Sequence, residues 1–263
     1  MAEELPAIQM PSNSITPTIF ILKVAPGSER QRETVLLVNR EKKEHYFEDG
    51  TLENAWIKFH YQVIEPGGSG TSSPECREFS AAYHCGASGG NPQVCLTHTS
   101  VDEGGYCVID VEGLKGRGVG TYFMNLIIRW VQQWPDADVR PVELKSGDAT
   151  PENLKRRNRF YEQFGICFDY SSASRKSGMA RPMKAGELTP FSYERLQVLE
   201  KKVVMKPLDD HMNEQADESH RLQTNQSGLE RQLKQTRDKL DKADKAPFLW
   251  AAATRWRKLW EGQ

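Results

Sequence analysis

Long hydrophobic runs are missing from this chain: no apolar stretch reaches the roughly 18 residues that a membrane-spanning helix needs. The opening MAEELPAIQMPSNSITP is acidic and rich in Pro and Ser, without the apolar core of a secretory signal. Both absences make the cytoplasm the expected compartment. Cysteine is sparse, with five residues at 76, 85, 95, 107 and 167 and no C-x-x-C pair. Cys76, His84, Cys85, Cys95 and His98 bring zinc to mind, but their spacing departs from zinc clusters, so structural thiols and no metal are expected. Net charge is also lacking, at −1, and no global field gathers nucleic acid. The basic run KRRNR (155–159) lacks the interleaved aromatics of a nucleic-acid surface, so nucleic acid is not an expected partner.

What remains is a chain of 263 residues, 38% hydrophobic, with a mean hydropathy of −0.65. That suits one substantial core with polar appendages. Residues 1–16 read as a flexible tail. TIFILKVA, TVLLVN and IKFHYQVI are short, β-branched and strand-like. Residues 66–92 are rich in Gly, Ser and Pro and read as a surface loop, either a tolerated insertion or a substrate-binding excursion. QVCLTHTSVDEGGYCVIDV resembles a hairpin.

Next, Tyr122, Phe123, Leu126, Ile127, Trp130, Val131 and Trp134 recur at helical spacing and predict an amphipathic helix ended by Pro135. DVRPVELK predicts a strand. TPENLKRRNRFYEQFGI has helix-start grammar, with Thr150 as N-cap, Pro151 first and Glu152 in the first turn; Gly165 supplies the stop. Strand, helix, strand, helix makes a βαβα unit whose strands should be parallel. SGMARPMKAGEL offers a last core strand. From Pro190 the composition turns polar, placing a domain at 17–189, a helical arm at 190–246 and a Trp-bearing tail at 247–263. SYERLQVLEKKVVMK reads as one helix interrupted at Pro207. Leu222, Leu229, Leu233 and Leu240 form a thin seam, weakened by Gln226, Gly228 and Thr236. That seam suits a homodimer or a partner helix through 208–245, or a merely solvated helix. The basic, amphipathic stretch 248–260 suits a protein groove, a membrane surface or docking on its own domain.

The densest signal is VEGLKGRGVGTYF, with Gly113, Gly116, Gly118 and Gly120 between a strand-like and a helix-like run. Glycine permits φ > 0 and close approach of a ligand to the backbone. A P-loop requires Lys and Ser/Thr where Val119 and Gly120 stand. The dinucleotide fingerprint fails at its third small position, occupied or adjoined by Phe123. A basic residue followed by x-x-G-x-G is left: Lys115, Gly118, Gly120.

On these residues the chain resembles the GNAT acyltransferase superfamily, whose hallmark is a strand, [Q/R]xxGx[G/A] and a long helix. RFYEQFGI resembles that family's second block, with Tyr161 four residues before Gly165 and Ile166 following. The likeness covers residues 93–170. It implies an α/β (α+β) fold, with a mixed, centrally splayed sheet flanked by helices and a C-terminal helical extension. It further implies acetyl-CoA as cosubstrate, its pyrophosphate lying on loop amides and a helix N-terminus. The contacts implied are Val111, Lys115, Gly116, Arg117, Gly118, Val119, Gly120 and Thr121. The family carries an Asn seven residues before its tyrosine; here Asn153 is eight before and Asn158 three before. Tyr161 is the implied donor to the departing thiolate. Asp110 and Glu112 alternate onto one face of the preceding strand and are candidate bases, Glu112 lying nearer the loop. Ser146 and Asp148 are candidates for contact with the amine acceptor. The activity implied is N-acyl transfer from acyl-CoA to an amine. The alternative is a catalytically idle domain of the same fold, acting as an adaptor through its arm and tail.

Overall fold

A computed structural model describes residues 19–27, 33–64, 77–86, 90–98 and 114–245, together with positions 248 and 252. The run 106–111 with Asp110 and Val111, the following Glu112, the tail 1–16 and residues 66–76 and 87–89 therefore lie outside the described residues, while Arg77–His84 form a largely buried strand instead of the surface loop expected over 66–92.

The fold is mixed α/β. Five antiparallel strands build the first part: β1 (Ile19–Val24), β2 (Thr34–Tyr46), β3 (Leu52–Ile64), β4 (Arg77–His84) and β5 (Gln93–Cys95). β2 and β3 are far longer than the apolar runs that announce them, because a turn with Gly50 at φ +82° closes one 13-by-13-residue hairpin. Helix α1 (Val119–Val131) follows, then β6 (Asp138–Val139), which pairs parallel with β5 through Gln93↔Asp138 and Val94↔Val139. The strand expected before α1 in the βαβα unit, 106–111, lies outside the described residues, and the parallel partner of β6 is the earlier strand β5.

DVRPVELK does not form one strand. It breaks at Pro141 into β6 and β7 (Glu143–Leu144), which belong to different sheets. A proline supplies no ladder donor, so the run cannot continue through it. β7 joins β8 (Phe168–Tyr170) and β9 (Gly178–Ala180) in a small sheet ordered β7-β9-β8. Between them lies α2 (Leu154–Glu162). Its regular part starts later than expected, with Asn153 rather than Thr150 at the N-cap; Thr150 holds the preceding turn, accepting the Asn153 amide on Oγ1 at 3.2 Å and the Leu154 amide on its carbonyl at 2.9 Å. Gly165 at φ +86° ends the turn.

Buried side chains follow the strand period of two in β2 and β3, whereas β1 and β4 bury consecutive residues. Leu22, Leu36, Phe59, Phe79 and Val94 are buried on the sheet face that meets α1. Phe123 from α1 sits among Phe59, Tyr61 and Phe79, with ring centroids 5.4, 5.2 and 5.1 Å away. The sequence pattern assigns α1 one apolar face, but Met124, Asn125 and Ile128 are buried as well. The reason is a second layer built from residues on both sides of the expected domain edge. Asn125 Oδ1 accepts the Phe191 amide at 2.8 Å, and Gln132 Nε2 donates to the Leu188 carbonyl at 2.7 Å.

That layer corrects the boundary at 189. Residues 193–207 do not form one helix: α3 (Tyr193–Glu200) gives way to β10 (Val203–Pro207), which pairs antiparallel with β1 from Val24↔Val203 to Phe20↔Pro207. The larger sheet is thus seven-stranded, in order β10-β1-β2-β3-β4-β5-β6, and the first compact unit runs to Leu208. Local propensity could not reveal β10, whose stabilisation comes from a partner some 180 residues earlier. The second unit begins at Asp209 and consists mainly of α4 (Leu208–Lys245), 38 residues or about 57 Å of helix. Leu222, Leu229, Leu233 and Leu240 are each more than 60% exposed on it. Among the described residues, no helix is long and apolar enough to cross a membrane.

Candidate functional site

The glycines form a turn whose geometry only glycine adopts readily. Gly116 has φ +74°, and Gly118, the residue capping α1, has φ +91° and ψ −4°. The first helical hydrogen bond of α1 runs from the Tyr122 amide to the Gly118 carbonyl at 2.9 Å. The amides of Val119, Gly120 and Thr121 lie before it, in the turn where helix geometry provides no intrahelical acceptor. No carboxylate stands in that first turn, so the positive helix end is not neutralised by its own sequence.

The two left-handed glycines do different work. A Cβ on Gly116 would meet no described atom within 4 Å, so its surface is open. A Cβ on Gly118 would lie 2.8 Å from Leu199 Cδ1 and 3.6 Å from Val203 Cγ2. The missing side chain of Gly118 therefore seats α3 rather than making room for a ligand, which modifies the expectation of close approach at this position.

Arg117 is corrected outright as a side-chain contact for a cofactor. Its guanidinium is 6% exposed and donates to the carbonyls of Val24 at 2.6 Å and Ala25 at 2.8 Å and to Thr34 Oγ1 at 2.8 Å. Its amide donates to the Leu114 carbonyl at 3.1 Å. Arg117 clamps the turn to the ends of β1 and β2, and burial lowers its pKa. A basic residue between glycines gives no sign of this in the sequence.

The turn opens on a cleft of about 1380 Å³ whose other walls come from β7, the 3-10 turn Ser146–Asp148, α2 and α3. Lys115, Gly116, Gly118, Val119, Gly120, Thr121, Asp148, Asn153 and Tyr161 all line it. Eight cationic side chains face four carboxylates around this cleft, although the chain as a whole is nearly neutral. The cleft is thus selectively positive, a feature the overall balance conceals. Lys145, Lys155, Arg156, Arg159, Arg195 and Lys202 were not picked out as site residues by the sequence reading. Three of them belong to the run KRRNR, from which every residue but Asn158 lines the cleft along a single helix.

The two asparagines separate. Asn153, at the N-cap of α2, lines the cleft; it donates to the Asp148 carbonyl at 3.0 Å and accepts from Arg156 Nη2 at 2.8 Å. Asn158 does not line it. Buried, it donates to the Arg175 carbonyl at 3.0 Å and accepts from Arg157 Nε at 3.2 Å, holding α2 to the β8–β9 turn. Asn158 is accordingly corrected from cofactor contact to structural tie. Arg157 likewise spends its guanidinium on the carbonyls of Lys145 at 2.6 Å and Lys176 at 2.8 Å. Ser146 starts the 3-10 turn but is not on the cleft wall, whereas Asp148 is.

Tyr161 is 6% exposed, its ring edge-on to Phe160 at 4.9 Å and to Phe168 at 5.9 Å. It combines a packed ring with a position on the cleft wall. Tyr122, on α1, is half-buried, and loss of solvent around its phenol together with the Glu200 carboxylate holds the pKa well above the ordinary value near 10. Cys85, Cys95 and Cys167 are free thiols. No family model, curated protein or solved structure matches this chain.

Proposed function

We propose that the protein is an acyl-CoA-dependent N-acyltransferase with a GNAT-type fold, using acetyl-CoA and an amine acceptor. The observation that carries the reading is the left-handed Gly116–Gly118 turn leading first-turn amides of α1, which have no intrahelical acceptor, into a positive cleft that also contains Tyr161. Such amides and the positive helix end suit a diphosphate. Lys115 and the α2 cations add charge for the remaining phosphate of CoA. The parallel β5–β6 pair around α1 also suits this fold.

In the reaction the amine nitrogen attacks the thioester carbonyl, a C–N bond forms and the C–S bond breaks. The amine must arrive neutral, so its proton passes to a base, for which Glu112 or Asp110 is the proposed group. The departing thiolate takes a proton from the Tyr161 hydroxyl. Asn153, fixed by Asp148 and Arg156, is suited to orient the pantetheine arm. Asp148, on the same wall, is suited to the acceptor.

The test is incubation of the full chain with acetyl-CoA and a panel of amines, following free thiol release and acetylated product. Saturable acetyl-CoA binding with transfer to any amine supports the reading. Absence of acetyl-CoA binding at millimolar concentration overturns it. Binding without transfer favours the idle-domain alternative.

A further inference from the structure

The cleft has one wall that the resemblance does not account for. Residues 191–203, comprising α3 and its turn into β10, close the side of the cleft next to the glycine turn, with Arg195, Val198, Leu199 and Lys202 on its surface. This wall is anchored at three points. Leu199 fills the space left by the missing Cβ of Gly118. The Ala25 amide donates to the Lys202 carbonyl at 2.7 Å, and the Lys202 amide donates to Leu199 at 2.8 Å. Arg117, from the glycine turn itself, grips the carbonyl of the same Ala25. The backbone of Lys202 is therefore locked to the glycine turn through a closed ring of contacts, while its side chain stays exposed on the cleft.

Two further features suit a nucleotide end. Val198 is 58% exposed, an apolar surface among Glu194, Arg195 and Lys202 on this wall. Arg195 is held flat on the Phe191 ring at 4.0 Å and donates to the Gln163 carbonyl at 3.4 Å, which fixes α3 to the end of α2. A wall so anchored presents Lys202 at a set distance from the first-turn amides, as a preformed phosphate contact requires.

We propose that the α3–β10 segment is part of the cofactor site, with Lys202 contacting a CoA phosphate and Val198 flanking the adenosine. The proposal rests on the acyl-CoA reading above and extends it to a segment that local sequence assigns to the helical arm.

Calorimetric titration of CoA into the full chain tests it with Lys202→Glu and the neighbouring Lys201→Glu, the same charge change on an exposed lysine off the cleft. A charge-assisted phosphate contact predicts a loss of affinity of about 10-fold or more for Lys202→Glu. Lys201→Glu should cost clearly less than Lys202→Glu, since Lys201 is exposed off the cleft wall and an exposed charge without direct contact contributes little. Val198→Asp should also weaken binding, and thermal melts without ligand should leave all three variants at the parent Tm. Equal Kd values for Lys202→Glu and the parent, or equal losses for both lysine variants, overturn this inference while leaving the acyl-CoA reading standing. If the parent itself does not bind CoA, the acyl-CoA reading falls and this inference with it.

Discussion

Replacing Gly118 by Ala perturbs two terms that the structure separates. The first is backbone strain: at φ +91° an L-residue meets its own carbonyl, at a cost of about 1–2 kcal/mol. The second is overpacking, because the new Cβ would stand 2.8 Å from Leu199 Cδ1. Leu199 is 6% exposed and has little room to turn away, so displacement there costs about 1–3 kcal/mol. A total near 3 kcal/mol lowers the Tm of the first compact unit by about 6–12 °C, given about 2–4 °C per kcal/mol at this size. Scanning calorimetry of the parent, Gly118→Ala, Leu199→Ala and the double variant reads both terms. Leu199→Ala alone opens a cavity and costs about 2–5 kcal/mol. In its background, Gly118→Ala should retain only the backbone term, leaving a coupling of about 1–3 kcal/mol. Strict additivity, or a Gly118→Ala protein melting within about 1 °C of the parent, would refute the claim that this glycine seats α3.

Other consequences are as concrete. Tyr161→Phe preserves the ring contacts with Phe160 and Phe168, so stability should hold while kcat falls by about 10²-fold and acetyl-CoA affinity changes little; steady-state kinetics with calorimetry checks the split. Asn125→Ala strands the Phe191 amide beneath α1 and should cost about 1–3 kcal/mol in urea denaturation, with Asn125→Asp, which keeps an acceptor oxygen, costing less. The raised pKa of Tyr122 means the folded state holds its phenolic proton longer than the unfolded chain does. Its contribution is therefore complete below pH 10 and lost as pH rises beyond it; Tyr122→Phe should flatten that alkaline decline in a series of melts.

The strands β1 to β3 were legible because each holds a short apolar, β-branched run and pairs with its sequence neighbour. The stop at Gly165 and the apolar face of α1 around Phe123 are local features and were legible too. What escaped was long-range. Val203–Pro207 reads as helix continuation until β1 supplies a ladder, and the buried side of α1 is only explained by Phe191 and Leu188. The site shows the same division. Backbone-defined elements such as Gly116 and the first turn of α1 were readable, because glycine reports its own φ. Side-chain allegiance was not: Arg117 and Asn158 are bound to carbonyls contributed by distant loops, while Lys202 reaches the cleft only because β10 joins the sheet.

The most direct test of the central claim is titration of the ¹⁵N-labelled full chain with acetyl-CoA, followed by backbone amide resonances. The account predicts saturable shifts concentrated at Gly116, Val119, Gly120 and Thr121, because their N–H groups would take the diphosphate. Saturable binding that leaves those four amides unmoved, or no binding at all, would contradict it.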